Sequence, residues 1–163
     1  MEHSDKVITF LDLCGHEKYL KTTIFGLVGM FPDYAMIVVN ANAGFQKMTR
    51  EHLGIALALH VPVFVVFTKL DITPKPVADA NLKALKQLLN SPVVRRMPVV
   101  VKDSKEATAL GGCLMSDRVC PIFCVSNVTG DGLESLRTFL RYLTPRCLNC
   151  GTFSSSSEPA EVI

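Results

Sequence analysis

Apolar residues along this chain come in short blocks, and the blocks alternate with stretches of mixed polarity. Residues 7–12, VITFLD, read as a strand. AMIVVNA (35–41) and VPVFVVF (61–67) are apolar almost throughout, with no alternation. Such runs predict strands buried on both faces, as in a parallel sheet. PIFCVS (121–126) predicts another strand, and MPVVV (97–101) a short extra one. The stretches between carry helical spacing. KYLKTTIFGLVG (18–29) predicts a helix with two glycines near its end. MTREHLGIALALH (48–60) places Leu53, Ile55, Ala56, Leu57 and Leu59 for a helix laid on a sheet. PKPVADANLKALKQLLN (74–90) carries its stripe on Leu82, Leu85, Leu88 and Leu89. Its Pro76 falls near the first turn, where a missing N–H is tolerated. DGLESLRTFLRYL (131–143) predicts an amphipathic closing helix. Residues 102–118, with Gly111-Gly112, read as a helix or loop insertion.

Strand and helix in repeated alternation predict an α/β fold, a mainly parallel sheet with helices on both faces. Residues 1–145 read as one domain. Residues 146–163 hold four consecutive serines and no period, and read as a flexible linker. Composition narrows the class. At 48% apolar, the 163 residues can bury a real core. A net charge of +2 argues against a dedicated nucleic-acid binder, while leaving room for a small basic patch. No run approaches the roughly 18 uncharged residues of a membrane span, and MEHSDKVITF lacks the pattern of a secretory signal. The six cysteines are therefore expected to be reduced and the protein cytoplasmic. Cys14 and Cys124 stand at the edges of apolar runs and read as small buried residues.

Ligands of parallel sheets bind at the carboxyl ends of the strands, so the polar clusters ending each run carry the functional reading. DLCGH (12–16) is Asp-x-x-Gly-His. A carboxylate at a strand tip can hold Mg²⁺ through a water, because this ion keeps much of its hydration shell. A glycine lets a backbone N–H approach a terminal phosphate, and a histidine beside it can orient an attacking water. TKLD (68–71) places a carboxylate able to accept two hydrogen bonds from guanine, a pairing that rejects adenine. SNVTG (126–130) offers a serine to brace a turn and a backbone N–H for the guanine O6. Each cluster alone also fits an ordinary turn. Their order, at successive strand ends, makes the nucleotide site.

At these residues the sequence resembles the G domain of a translational GTPase, the class of elongation factor Tu and elongation factor 1-alpha. GHEKYLKTTIFGL, NAGFQKMTREHLGIALALHVPVFVVFTKLD and PIFCVSNVTGDGLESLRTFL are more closely similar to the GTP-binding protein 1 and 2 family. The resemblance implies a P-loop NTPase, G-domain-like three-layer sandwich that binds GTP and GDP with Mg²⁺ and hydrolyses GTP. It implies that Asp12 holds Mg²⁺ through water, Gly15 senses the γ-phosphate and His16 places the hydrolytic water. Thr68, Lys69 and Asp71 would read guanine, and Ser126, Asn127 and Val128 would complete the base pocket. Residues 14–21 would be the second switch. Implied partners are the ribosome, tRNA or other RNA, with no membrane and a monomeric state. The alternative is a non-catalytic, degenerate G domain used as a scaffold. The family's phosphate loop, Gly-x-x-x-x-Gly-Lys-Ser/Thr, and its first switch do not occur in these residues, and no Gly-Lys pair is present. The resemblance therefore implies an N-terminally truncated domain, short of two strands, with weak GTP binding and negligible hydrolysis on its own.

The remaining chemistry-bearing residues have plainer readings. Cys147-x-x-Cys150 is half of a zinc ribbon without a second pair. His52 and His60 read as solvated or capping. Lys18, Lys21, Lys47 and Arg50 read as solvated helix faces that could also meet RNA.

Overall fold

The computed structural model describes residues 6–114 and 118–145. A 3-10 turn, Glu17–Tyr19, leads into α1, Leu20–Gly29. Then follow β1 Ala35–Asn40, α2 Lys47–Ala58, β2 Val63–Thr68, α3 Lys75–Leu89, β3 Met97–Val101, α4 Ser104–Cys113, β4 Val119–Cys124 and α5 Leu133–Tyr142. The four strands form one sheet in the order β1-β2-β4-β3, and every pairing is parallel. The parallel α/β expectation holds.

Two apolar layers clothe the sheet. On one face Ile37, Val39, Val65 and Phe67 meet Leu53 and Ala56 of α2 and Ala78, Leu85 and Leu89 of α3. On the other, Phe64, Val66, Val101 and Phe123 meet Ala107 of α4 and Phe139 of α5. Phe139 is the pivot of that layer. Its ring lies 5.1 Å from Phe64 and 4.8 Å from Phe123, centroid to centroid, in tilted contacts that favour aromatic pairs. The 102–118 insertion contributes α4, whose start is tied by Glu106 accepting from the Lys102 N–H at 3.0 Å.

Two expectations fail here for one physical reason. Residues 7–12 form no strand, and Val7 and Phe10 are 84% and 62% exposed. A strand exists only as a member of a ladder, and no described strand pairs with this segment. It is held instead at one end, where the Lys6 ammonium donates to the Leu140 carbonyl at 2.9 Å and to the Leu143 carbonyl. β1 forms as expected but is not buried on both faces. Ala35, Ile37 and Val39 are buried, whereas Met36 and Val38 are 39% and 54% exposed. β1 is the edge of the sheet, and the α4–α5 layer packs over β2, β4 and β3 without covering it. Between residues 6–13 and β1 lies an open cleft of about 2340 Å³. That is more than twice the upper end of small-molecule pockets, roughly 1,000 Å³, so it is a gap between layers of chain rather than a ligand pocket.

Candidate functional site

The parallel register aligns the carboxyl ends of β1, β2 and β4. Asn40 pairs with Thr68, and Phe67 with Cys124. The TKLD and SNVTG segments therefore leave the sheet side by side. Val125 continues the ladder, its N–H donating to the Phe67 carbonyl at 2.9 Å.

Thr68 ends β2, and its carbonyl accepts from the Ala41 N–H at 2.9 Å. The chain then turns sharply. Lys69 takes φ 63°, a left-handed conformation unusual for a side chain beyond glycine. Thr73 compensates: its hydroxyl donates to the Lys69 carbonyl at 2.7 Å. The turn presents Lys69 and Asp71 outward, both exposed. Ser126 joins the two loops. Its hydroxyl donates to Asp71 Oδ1 at 2.8 Å and accepts from the Val128 and Thr129 N–H groups at 3.3 and 3.2 Å. Ser126 is 1% exposed, so these bonds sit out of water and hold Asp71 in one orientation. No described residue donates to Asp71 Oδ2. Asn127 and Val128 stand at the rim, Val128 83% exposed. Thr129 donates to Asp131 Oδ2 at 2.6 Å and closes the loop. Gly132, at φ 72°, ends it, and a Cβ there would stand 2.1 Å from the Cys124 carbonyl oxygen.

The second group of predicted residues lies apart from the first. Asp12, Gly15 and His16 are exposed, and among the described residues no hydrogen bond links them to residues 68–71 or 126–131. His16 starts the 3-10 turn: Nδ1 accepts from the Lys18 N–H at 3.1 Å. That bond leaves Nε2 pointing away from the turn's backbone. The Thr23 hydroxyl donates to the Cys14 carbonyl at 2.9 Å and pins the segment to α1. A Cβ on Gly15 would meet nothing within 4 Å. Packing within the chain therefore does not demand glycine at this position.

Several readings of single residues change. Cys14 is exposed, not buried, because the segment that carries it is not in the sheet. Cys120 is buried, and burial pushes its thiol up to about 12, with the positive charge of Arg96 opposing. Burial also raises Cys124, against Lys86. His52 is neither solvated nor a cap: its Nε2 is buried with no partner among the described residues. Lys18, Lys21, Lys47 and Arg50 are exposed as expected, with Lys47 3.6 Å from Glu17. Cys147, Cys150 and the serine tail lie outside the described residues. Among the described residues no three His, Cys, Asp or Glu side chains gather as a metal site, and no helix is long and apolar enough to cross a membrane. Sequence reasoning missed Thr73, Thr129 and Asp131, which hold the two loops. Their signal was only that of Thr and Asp near turns.

The sequence family described as the elongation factor Tu GTP binding domain matches residues 1–146. The chain belongs to this family. It is 51% identical over 160 residues to GTP-binding protein 1 of Xenopus laevis, covering 98% of this chain and 24% of that protein. It is 45% identical over 145 residues to GTP-binding protein 2 of Homo sapiens, covering 88% of this chain and 24% of that one. The G domain described here thus spans about a quarter of the length of these relatives. Among solved structures, it superposes on the apo form of translation elongation factor SelB from Methanococcus maripaludis with a TM-score of 0.55. That match has 21% identity and covers 80% of this chain and 23% of the other. A bacterial selenocysteine-specific elongation factor gives 0.53 at 24% identity, covering 78% of this chain and 18% of that one. At these identities the two structures speak for the fold. As a translational G domain, the chain is of a guanine-nucleotide-binding kind.

Proposed function

We propose that these residues form the guanine-reading and γ-phosphate-sensing parts of a GTP-binding, GTP-hydrolysing domain that acts in translation or in ribosome- or RNA-associated quality control. The observation that carries this is the Asp71 carboxylate held by Ser126 at the joined ends of β2 and β4. One of its oxygens is anchored and the other takes no bond within the described residues. A carboxylate fixed in this way accepts from the N1–H and exocyclic amine of guanine, whereas adenine offers no such pair. Lys69 lays its stem beside the base, Thr68 fixes the start of the loop, and the Asn127 N–H approaches the O6 edge with Val128 beside it at the rim.

Asp12, Gly15 and His16 are assigned to the phosphate end. Gly15 offers an N–H to the terminal phosphate without a side chain in the way. His16, its Nδ1 already engaged, keeps Nε2 for a water. Asp12 suits Mg²⁺ held mainly by phosphate oxygens and water, since Mg²⁺ at nucleotides takes only one or two carboxylates. Bound there, the ion would neutralise phosphate charge. A scaffold role is the second reading. It is favoured by the lack, among the described residues, of any hydrogen bond between residues 12–16 and the guanine loops. Relatives named as elongation factors support the translation apparatus, ribosome, tRNA or other RNA, as the partner.

Asp71→Asn tests the assignment. Exchanging a carboxylate for an amide should move preference from guanosine to xanthosine nucleotides, whose 2-oxo group accepts where guanine donates. No change in that ratio, measured by calorimetry, would remove Asp71 from the base site. The scaffold reading gains if GTP is neither bound nor hydrolysed by a longer protein containing this domain.

A further inference from the structure

A path of hydrogen bonds runs from the side of α3 to the first residue of the guanine loop. Asn81 lies on the second turn of α3 and is half-buried. Its Nδ2 donates to the Ala41 carbonyl at 2.7 Å and to the Asn42 carbonyl at 3.3 Å. Ala41 is fully buried, and its own N–H donates to the Thr68 carbonyl. The Thr68 hydroxyl is held only loosely, donating to the Val39 carbonyl at 3.4 Å. The far end of the guanine loop runs directly into α3 at Lys75. Asn81 therefore closes a ring: loop, helix, Asn81, Ala41, and back to the residue where the loop begins. The 41–44 segment is moulded to this side chain. Gly44 sits at φ 67°, and a Cβ on it would stand 2.7 Å from Asn81 Oδ1.

We propose that Asn81 is a positioning residue for guanine recognition. It acts through Ala41, fixing the start of the Thr68–Asp71 loop against α3 so that Asp71 meets the purine edge in one orientation. The inference rests on the guanine reading of that loop. An amide is needed because two carbonyl acceptors face one side chain. α3 is a firm base for it, since Ala78, Leu85 and Leu89 on either side are buried in the core. Aspartate has nearly the same shape but no N–H, and would set a carboxylate against two carbonyl oxygens.

The test uses the ¹⁵N-labelled 163-residue chain, titrated with Mg²⁺ and GDP, then with ADP, and followed by NMR so that millimolar affinities are read. The unsubstituted chain should favour GDP. Asn81→Asp and Asn81→Ala should each weaken GDP by about fivefold, the worth of one net hydrogen bond, and leave ADP unchanged. The Ala41 amide should exchange faster in both. A GDP-to-ADP ratio equal to that of the unsubstituted chain, in variants whose Ala41 amide has lost protection, overturns the proposal. So does an equal fall for both nucleotides, which marks a merely structural tie. If the unsubstituted chain shows no GDP preference, the guanine reading itself fails, and this proposal with it.

Discussion

Ser126 shows how much one small side chain can carry. Its hydroxyl donates once and accepts twice, in a site 1% exposed. Ser126→Ala removes the acceptor of two backbone N–H groups and the donor to Asp71. Losing these part-buried bonds costs about 1 kcal/mol, so the melting temperature should fall and, on the proposed guanine reading, nucleotide affinity with it. A melt unchanged by the substitution would show that water replaces the hydroxyl. Gly132 is the steric counterpart. Alanine there meets the Cys124 carbonyl at 2.1 Å and must hold φ 72°, so Gly132→Ala should cost about 3 kcal/mol or more. Cys120 adds a pH signature. Burial pushes its folded thiol up to about 12, well above an ordinary thiol. The folded state therefore keeps its proton where the unfolded chain has lost it, and stability should decline as pH rises above 9. Denaturant melts at pH 8 and pH 10.5 on the native chain and on Cys120→Ala would read this; an equal decline in both would assign it elsewhere. That the segments carrying Asp71 and Ser126 end strands and turn there was legible in the sequence, because each is a short local pattern. The left-handed turn at Lys69 was not, because nothing in the dipeptide announces that Thr73 will hold it.

At the scale of elements, legibility followed how much of a segment's stability is its own. β2 and α3 were readable to within two residues, since a run of apolar side chains or a leucine stripe needs only a core to face. Residues 7–12 carry the same strand pattern and form none. Their hydrogen bonds belong to a neighbour, and no described strand supplies one. The exposure of Met36 and Val38 has the same origin, so the continuous apolar run of β1 overstated its burial. α5 is held by one side chain above all. Phe139 is fully buried between Phe64 and Phe123. Phe139→Ala should cost about 3–5 kcal/mol and loosen α5 and α4 together, because both pack into that layer. Loss of protection confined to α5 in hydrogen exchange would show that α4 holds to the sheet without it.

For the whole molecule, the decisive feature is the β1 edge of the sheet, which carries helix on one face only. Helices close both faces over β2 and β4, while β1 and β3 end the ladder, and at β1 one face is left open. The register says which groups are left. Ala35 donates to Pro62 and Ala41 to Thr68, at 2.9 Å each, so alternate residues from Ala35 to Ala41 face β2. Met36 and Val38 then turn their N–H and C=O groups away from it, toward the cleft. An edge of this kind, with apolar side chains beside it, is a template for another strand. The consequence can be read residue by residue in dilute solution. Amides of Ile37 and Val39 should exchange slowly, as ladder members, and those of Met36 and Val38 quickly, although all four lie in one strand. Amides of residues 7–12 should exchange as fast as those of Met36. If Met36 and Val38 prove as protected as their neighbours, something covers the edge. Repeating the measurement across a hundredfold range of concentration then separates the causes. Protection that grows with concentration is pairing between copies. Protection that does not is residues 7–12 folding across the cleft, and the strand that their sequence predicts would then form after all.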